Sequence, residues 1–308
     1  MPVTFRSLVL ATRPWSWSMT IGNAVLASLG AWKLSHSFDF LNALLAIFVV
    51  LFGHSAVNLT NSYWDFISGT DKVKKDGGDK TIAGGILTPK IVRIEYQVCY
   101  LLSGLLSLVL VYRVQAWGIA AIFVAMGVLG YMYTAPPVSF KSIALGELIV
   151  FFLVGPLLTL TTYFFQTGEI SPFVVLYAGI PVGFFSAGVL FCNNVRDRDA
   201  DRSARIYTLA HALTAPYDRA FLLLCLVLPY LYQAWLACRF FISGATSALT
   251  IPALFLPFVV LFAFHWPIYR DFLQGKFGGL EERLAQSCVP YLLLLLPGIL
   301  LSPSETLF

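Results

Sequence analysis

Apolar runs of membrane-spanning length cover almost the whole of this sequence, and they constrain its fold more than any other feature. A helix needs about 20 mostly apolar residues to cross the hydrocarbon core of a bilayer. Runs of that length recur from one end of the chain to the other. Only 12% of the 308 residues are charged, about half the share that is typical of soluble domains. The sequence therefore predicts an all-α integral membrane protein.

The runs divide into nine predicted spans with short connections. Because no long polar insertion separates them, we expect residues 1–308 to form a single polytopic membrane domain. No small-residue cleavage site follows the apolar pieces near Arg6 and Arg13, so we expect that no signal peptide is removed. The predicted spans are residues 15–35, 40–66, 91–112, 116–134, 143–166, 171–196, 216–238, 245–267 and 284–302.

The basic residues predict the orientation of these spans. With a cytoplasmic N-terminus, every one of the 20 lysines and arginines lies on the cytoplasmic side except Lys33, Arg113 and Arg239. An excess of Lys and Arg is typical of cytoplasmic loops. Topology thus accounts for the net charge of +4, and we expect no nucleic-acid partner.

Two polar motifs stand out from the apolar pattern, each at the end of a predicted span. The first contains Asn61 and Asp65, and the second contains Asn193 and Asp197, 132 residues further along the chain. Residues four apart on a helix share a face, and Gly69 is a suitable place for the first helix to end. Ionisable groups at such a depth are costly and usually functional.

The second and sixth spans run in the same direction, so they carry both motifs to the cytoplasmic face. An offset of four helices suggests two parallel repeats around a central cavity that opens to the cytoplasm. Beyond Gly69, Asp71 can turn back toward the first motif, and Asp201 extends the second. Asp199 points away from that helix face, so we expect it to be exposed.

Two facing clusters of carboxylates predict a site for Mg²⁺, which prefers oxygen ligands and shares them with substrate phosphates. The expected metal ligands, which are also the catalytic carboxylates, are Asp65, Asp71, Asp197 and Asp201. The residues expected to complete the metal shell or to neutralise a phosphate leaving group are Asn61, Lys80, Lys141, Asn193 and Arg202.

A polar site at the mouth of an apolar cavity predicts an amphiphilic substrate, and an isoprenoid diphosphate fits that description. Loss of its diphosphate creates an allylic cation, which aromatic walls can stabilise by cation–π attraction. Any single aromatic residue is nevertheless found more often in ordinary packing. The candidates are Tyr63, Trp64, Tyr133, Tyr163, Phe184 and Phe185.

The segments from Asn58 to Asp71 and from Asn193 to Arg202 resemble the paired aspartate-rich motifs of UbiA-type intramembrane prenyltransferases. This resemblance implies nine helices around a central cavity and Mg²⁺-dependent prenyl transfer, with Tyr133 and Lys141 in a matching loop. Lys80 stands where arginine is common in the family, and Ser62 where aspartate is frequent. Further matching stretches are residues 79–81, 86–89, 133–141, 145–149 and 155–156.

Within that superfamily the sequence resembles the branch that acts on 1,4-dihydroxy-2-naphthoate in menaquinone synthesis, which also contains the animal vitamin K2 synthase. Its Asp71 lies six residues after Asp65 with a glycine between, whereas the 4-hydroxybenzoate branch generally has carboxylates four apart. The resemblance implies alkylation of the carbon that bears the carboxylate and loss of carbon dioxide, which gives a demethylmenaquinone. It also implies a bacterial inner membrane.

Three other interpretations remain open at this point. The prenyl acceptor can be another aromatic compound, such as 4-hydroxybenzoate or homogentisate. A transporter can use intramembrane acids as a cation relay, although transporters place such acids near the bilayer midplane. A structural charge network of Arg196, Arg198 and Arg202 with the acids explains the second motif but not its match to the first.

Overall fold

The protein is described by a computed structural model that covers residues 3–70, 80–242 and 250–301. These residues form helices joined by turns, with one isolated bridge between Ile143 and Tyr207. The all-α class is therefore confirmed for the described residues. In chain order the helices are α1 (Phe5–Ala11), α2 (Trp17–Ser35), α3 (Phe40–Ser68), α4 (Lys80–Ala83), α5 (Pro89–Val114), α6 (Trp117–Met132), α7 (Gly146–Thr167), α8 (Pro172–Arg196), α9 (Arg198–Ser203), α10 (Leu209–Ala212), α11 (Tyr217–Ile242), α12 (Pro252–Leu273) and α13 (Leu280–Leu301).

Seven of the described helices are long and apolar enough to cross a membrane, namely α3, α5, α7, α8, α11, α12 and α13. Helix α6 is apolar but has only 16 residues, and α2, with 19 residues, is not among the seven. Both occupy positions where the sequence predicts a span. Seven membrane-length helices are thus confirmed, and the full count of nine stays a prediction.

The eighth predicted span is displaced in the structure, because helix α12 ends at Leu273 rather than at residue 267. A π-helical turn, Leu261–His265, precedes Pro267, which then lies in the first turn of a new α-helical segment. Proline is tolerated in a first helical turn because the N–H that it lacks would have no partner there. The helix therefore continues where the sequence suggested an end.

Helices α7 and α8 approach each other closely at a pair of π-helical turns, Leu153–Leu157 and Val175–Gly179. Pro156 lies in the first of these turns, and Asn23 of α2 donates a hydrogen bond to the carbonyl oxygen of Val154 at 2.9 Å. A neighbouring helix thus satisfies the backbone that the irregular turn frees. The proline within this span is therefore accommodated by an adjacent helix.

The largest buried apolar cluster lies among α2, α8, α11, α12 and α13, and a second one joins α3 to α5. Between these two packed regions the helices leave a cavity, whose walls come mainly from α2, α3, α5, α6, α7 and α8, with contributions from the turn Pro14–Ser16 and the start of α13. The fold therefore places an apolar hollow between two packed groups of helices, beside the ends of α3 and α8.

Replacement of Gly155 by Val is expected to destabilise the fold, because a Cβ at this position would lie 2.7 Å from the Cα of Gly183 and 2.8 Å from its nitrogen. Overpacking of this kind typically costs about 1–3 kcal/mol. The variant should melt at a lower temperature in detergent than the wild-type protein. Gly118→Ala is the control, since nothing lies within 4 Å of a Cβ there. Equal melting temperatures for the two variants would contradict the close approach.

Candidate functional site

The first motif lies at the end of α3, which stops where the sequence predicts. Gly69 has a φ of 85°, a left-handed conformation that favours glycine, and it caps the helix. Asp65 lies one turn before this end and is 4% exposed, while Asn61 is buried one turn deeper. The helix therefore holds a carboxylate and an amide on one face, both shielded from solvent.

The second motif continues past the end of α8 without losing its helical spacing. The backbone N–H of Asp197 donates to the carbonyl oxygen of Asn193 at 3.0 Å, and that of Asp201 donates to Asp197 at 2.9 Å. The three side chains therefore lie on successive turns, and both carboxylates are buried. Asp199 is exposed, as predicted.

The two motifs meet at one cavity. Its volume is about 580 Å³, and Asn61 from the first motif and Asn193 from the second both line it. This size lies within the range of small-molecule sites, roughly 300–1,000 Å³. The carboxylates Asp65, Asp197 and Asp201 all act on the single side chain of Lys141, so segments that are 132 residues apart in the sequence lie near each other at this cavity. We call the end of the cavity beside these residues the charged end.

Lys141 lies in the turn between α6 and α7 and points at the first motif. Its Nζ donates to both carboxylate oxygens of Asp65, at 3.0 and 3.1 Å, and its side chain is only 2% exposed. Burial lowers the pKa of Lys141, but the carboxylates of Asp65, Asp201 and Asp197 outweigh this effect and hold that pKa above its ordinary value. A charged lysine therefore lies within the field of both motifs.

Arg196 plays the matching part at the second motif. Its guanidinium donates to the two carboxylate oxygens of Asp197 at 2.8 and 3.0 Å and to Oδ1 of Asn193 at 2.6 Å. It also forms an ion pair with Glu281 at the start of α13. Sequence analysis did not identify Glu281 as a site residue, because no motif links residue 281 to residue 196.

The remaining predicted site residues differ in where the structure places them. Tyr133 is buried and lines the cavity. Arg202 is exposed on α9 and has no hydrogen bond or ion pair with either motif among the described residues, so its predicted substrate contact is not seen. Asp71 and the side chain of Lys80 lie outside the described residues.

Of the six candidates for an aromatic wall, most are found in ordinary packing, which the sequence analysis held to be more frequent for any single aromatic residue. Tyr133 alone among the six candidates lines the described cavity, whereas Tyr163 and Phe185 lie in the buried core. The reason is that a helix apolar on every side carries no periodic signal to show which face points inward. The aromatic residues that do line the cavity are Trp15, Tyr100, Phe123 and Tyr133.

The charged end supplies the oxygen donors that a hard divalent cation requires. Within the described ranges no three His, Cys, Asp or Glu side chains are grouped as a complete metal site, and the fourth predicted carboxylate, Asp71, lies outside them. Mg²⁺ needs only one or two carboxylates, since substrate phosphates and water complete its shell. Asn61 adds a buried Nδ2 with no hydrogen-bond partner in the described structure. The donor set therefore fits Mg²⁺ bound together with a phosphorylated ligand.

These features define an all-helical integral membrane protein whose buried charges lie at one end of an apolar cavity. A model of the UbiA prenyltransferase family matches residues 17–275. The chain is 32% identical to UbiA prenyltransferase domain-containing protein 1 of Danio rerio over 302 residues, which are 97% of this chain and 85% of the relative. The human protein of that name is 32% identical over 304 residues, or 98% of this chain and 85% of the relative. The chain belongs to the UbiA prenyltransferase family.

Solved structures share the fold. The apo structure of a UbiA homologue from Aeropyrum pernix K1 superposes with a TM-score of 0.63 at 15% identity, covering 91% of this chain and 96% of that one. A UbiA homologue from Archaeoglobus fulgidus bound to GPP and Mg²⁺ gives a TM-score of 0.62 at 13% identity, with 92% and 99% covered. The family gives the enzyme class, a prenyltransferase, and it disfavours the transporter interpretation.

Lys141→Met is expected to destabilise the protein more than the double variant Lys141→Met/Asp65→Asn. Removing one partner of a buried ion pair leaves an uncompensated charge and costs about 3–5 kcal/mol, whereas neutralising both partners costs less. Thermal unfolding in detergent measures the difference. Arg202→Met, at an exposed position, serves as the control. Additive effects of the two substitutions would contradict a direct buried pair.

Proposed function

We propose that the protein transfers a polyprenyl group from polyprenyl diphosphate to 1,4-dihydroxy-2-naphthoate in a Mg²⁺-dependent reaction. Diphosphate and carbon dioxide are released, and the product is a demethylmenaquinone. One observation carries this proposal: two carboxylate motifs, each with a buried cation, meet at one end of an apolar cavity. Such a site suits a substrate with an anionic head and an apolar tail.

The head group binds at the charged end. Asp65, Asp197 and Asp201, together with Asp71, are the residues that would hold Mg²⁺. When bound, Mg²⁺ neutralises the charge that develops on the diphosphate as its bond to the prenyl carbon breaks. Support comes from the Archaeoglobus fulgidus homologue, whose structure was solved with GPP and Mg²⁺.

Three side chains of the protein assist this binding directly. The buried Nδ2 of Asn61 has no partner among the described residues and can donate to a diphosphate oxygen. Lys141 supplies a fixed positive charge beside Asp65, and Asn193 is held in place by Arg196. Buried charges of this kind are effective because they are already oriented before the reaction begins.

The prenyl tail occupies the apolar part of the cavity. Its walls there come from α5 and α6, whose side chains offer the tail an apolar surface. Tyr133 lies where α6 ends at the charged end, and its ring is available for cation–π stabilisation. The apolar wall includes Leu101, Leu105, Leu108, Phe123 and Val124.

The choice of acceptor is supported by the first motif, whose second aspartate follows Asp65 by six residues with Gly69 between them. The names of the relatives specify no acceptor. We further propose nine spans, with α2 and α6 included, in a single domain over residues 1–308. The distribution of basic residues supports a cytoplasmic N-terminus and a cavity that opens to the cytoplasmic side. The bacterial inner membrane stays a prediction, and the relatives compared above come from animals.

Asp65→Asn and Asp197→Asn should each lower turnover of geranylgeranyl diphosphate by more than about a hundredfold, because each removes a charge that holds the metal-bound diphosphate. Asp199→Asn is the matched control, since this aspartate is exposed beside the second motif. Chelation with EDTA should stop the wild-type reaction, and added Mg²⁺ should restore it. Near-normal turnover by either variant, or indifference to EDTA, would argue against this role.

The acceptor is tested by competition. Purified enzyme is given geranylgeranyl diphosphate with equal amounts of 1,4-dihydroxy-2-naphthoate, 4-hydroxybenzoate and homogentisate, and the products are weighed by mass spectrometry. We expect the prenylated naphthoquinol, lighter by one carbon dioxide than simple addition would give. A dominant product from either other acceptor would reject the naphthoate assignment and leave prenyl transfer intact.

A further inference from the structure

Glu281 is a charged residue of the cavity wall to which neither the aspartate motifs nor the family match assigns a role. It lies in the first turn of α13, beyond the residues 17–275 that match the family model. Its side chain is 7% exposed, and it lines the cavity together with Asn193. A buried carboxylate in a cavity wall is costly unless both of its oxygens find partners.

The two carboxylate oxygens of Glu281 have different surroundings. Oε1 accepts a hydrogen bond from the guanidinium of Arg196. Oε2 is enclosed and has no hydrogen-bond partner among the described residues. An acceptor left without a donor in a buried site typically costs about 1–3 kcal/mol, and a ligand with a suitable donor recovers that cost. Glu281 therefore has one oxygen committed to the protein and one open to a ligand.

The chemistry of the two substrates decides which of them can use this oxygen. The prenyl tail has no hydrogen-bond donor, and the diphosphate is an anion that a carboxylate repels. The acceptor also carries a carboxylate, but each of its phenolic hydroxyls is a neutral donor and forms strong hydrogen bonds with carboxylates. The wall beside Glu281 also suits a ring, because the turn Pro14–Ser16 packs on α13 and carries Trp15 into the same cavity.

We propose that Glu281 binds the aromatic acceptor by accepting a hydrogen bond from its phenolic hydroxyl at Oε2. The proposal rests on the proposed function, since it requires a hydroxylated aromatic substrate. It assigns the acceptor to the wall formed by α13 and the turn before α2 rather than to the apolar wall of α5 and α6. The ring then lies next to Asn193, beside the head group rather than along the tail.

The test compares Glu281→Gln with Glu282→Gln, an exposed neighbour on the same helical turn. Steady-state kinetics are measured for each substrate with the other saturating. Glu281→Gln should raise the KM for 1,4-dihydroxy-2-naphthoate about tenfold to a hundredfold, the factor expected for one hydrogen bond to a charged group. The KM for geranylgeranyl diphosphate should stay unchanged, and Glu282→Gln should match the wild type.

Ligand analogues provide a second readout. The two mono-O-methyl ethers of 1,4-dihydroxy-2-naphthoate each lack one hydroxyl donor, and wild-type enzyme should bind one of them at least tenfold more weakly than the other. Glu281→Gln should lose this discrimination. If instead Glu281→Gln weakens only geranylgeranyl diphosphate or lowers kcat alone, the residue acts through Arg196 and the proposal is overturned.

The remaining outcomes separate this inference from the proposed function. Equal KM values for the naphthoate in the two variants, with normal wild-type turnover, would overturn the role of Glu281 alone. If the wild-type enzyme prenylates 4-hydroxybenzoate instead, the same comparison is made with that phenol and the same rise in KM is expected. Failure to prenylate any phenolic acceptor would overturn both proposals together.

Discussion

Carboxylates buried beside an apolar cavity need cations within hydrogen-bond distance, and this requirement organises the site. Lys141 meets it for Asp65, and Arg196 meets it for Asp197. Lys141 lies in the turn between α6 and α7. Arg196 is the last residue of α8, and its ion pair with Glu281 connects α8 to α13. Pairing each acid in this way avoids the several kcal/mol that an isolated buried charge costs. It also fixes which helix ends lie together at the charged end.

Sequence reasoning succeeds here where local chemistry determines the structure. Gly69 ends α3 because its left-handed conformation favours glycine, and the four-residue spacing within each motif places its side chains on one face. The partner of Arg196 could not be predicted, because Glu281 lies 85 residues away and carries no motif. The aromatic lining was missed for a different reason: helices apolar on all sides give no sign of which face meets the cavity, so Phe123 looked no different from Tyr163.

The cavity is chemically asymmetric, and this asymmetry matches the two substrates of prenyl transfer. Leucines and Phe123 make the wall from α5 and α6 largely apolar, whereas Asn61, Asn193 and Glu281 lie at the charged end. If a prenyl diphosphate binds with its tail along the apolar wall and its head at the charged end, the carbon–oxygen bond that breaks lies at the boundary between the two. An acceptor held next to Asn193 then lies beside the carbon that becomes electrophilic, and fixing two reactants in this way supplies much of the rate enhancement of a bimolecular reaction.

The central claim is that both motifs hold one and the same ligand. Isothermal titration of geranylgeranyl thiodiphosphate, which resists ionisation, into the wild-type protein with Mg²⁺ tests it most directly, alongside Asn61→Ala and Asn193→Ala. The account predicts one molecule bound per chain and weaker binding, by about tenfold or more, in each single variant. Two molecules bound per chain, or wild-type affinity in either variant, would contradict it.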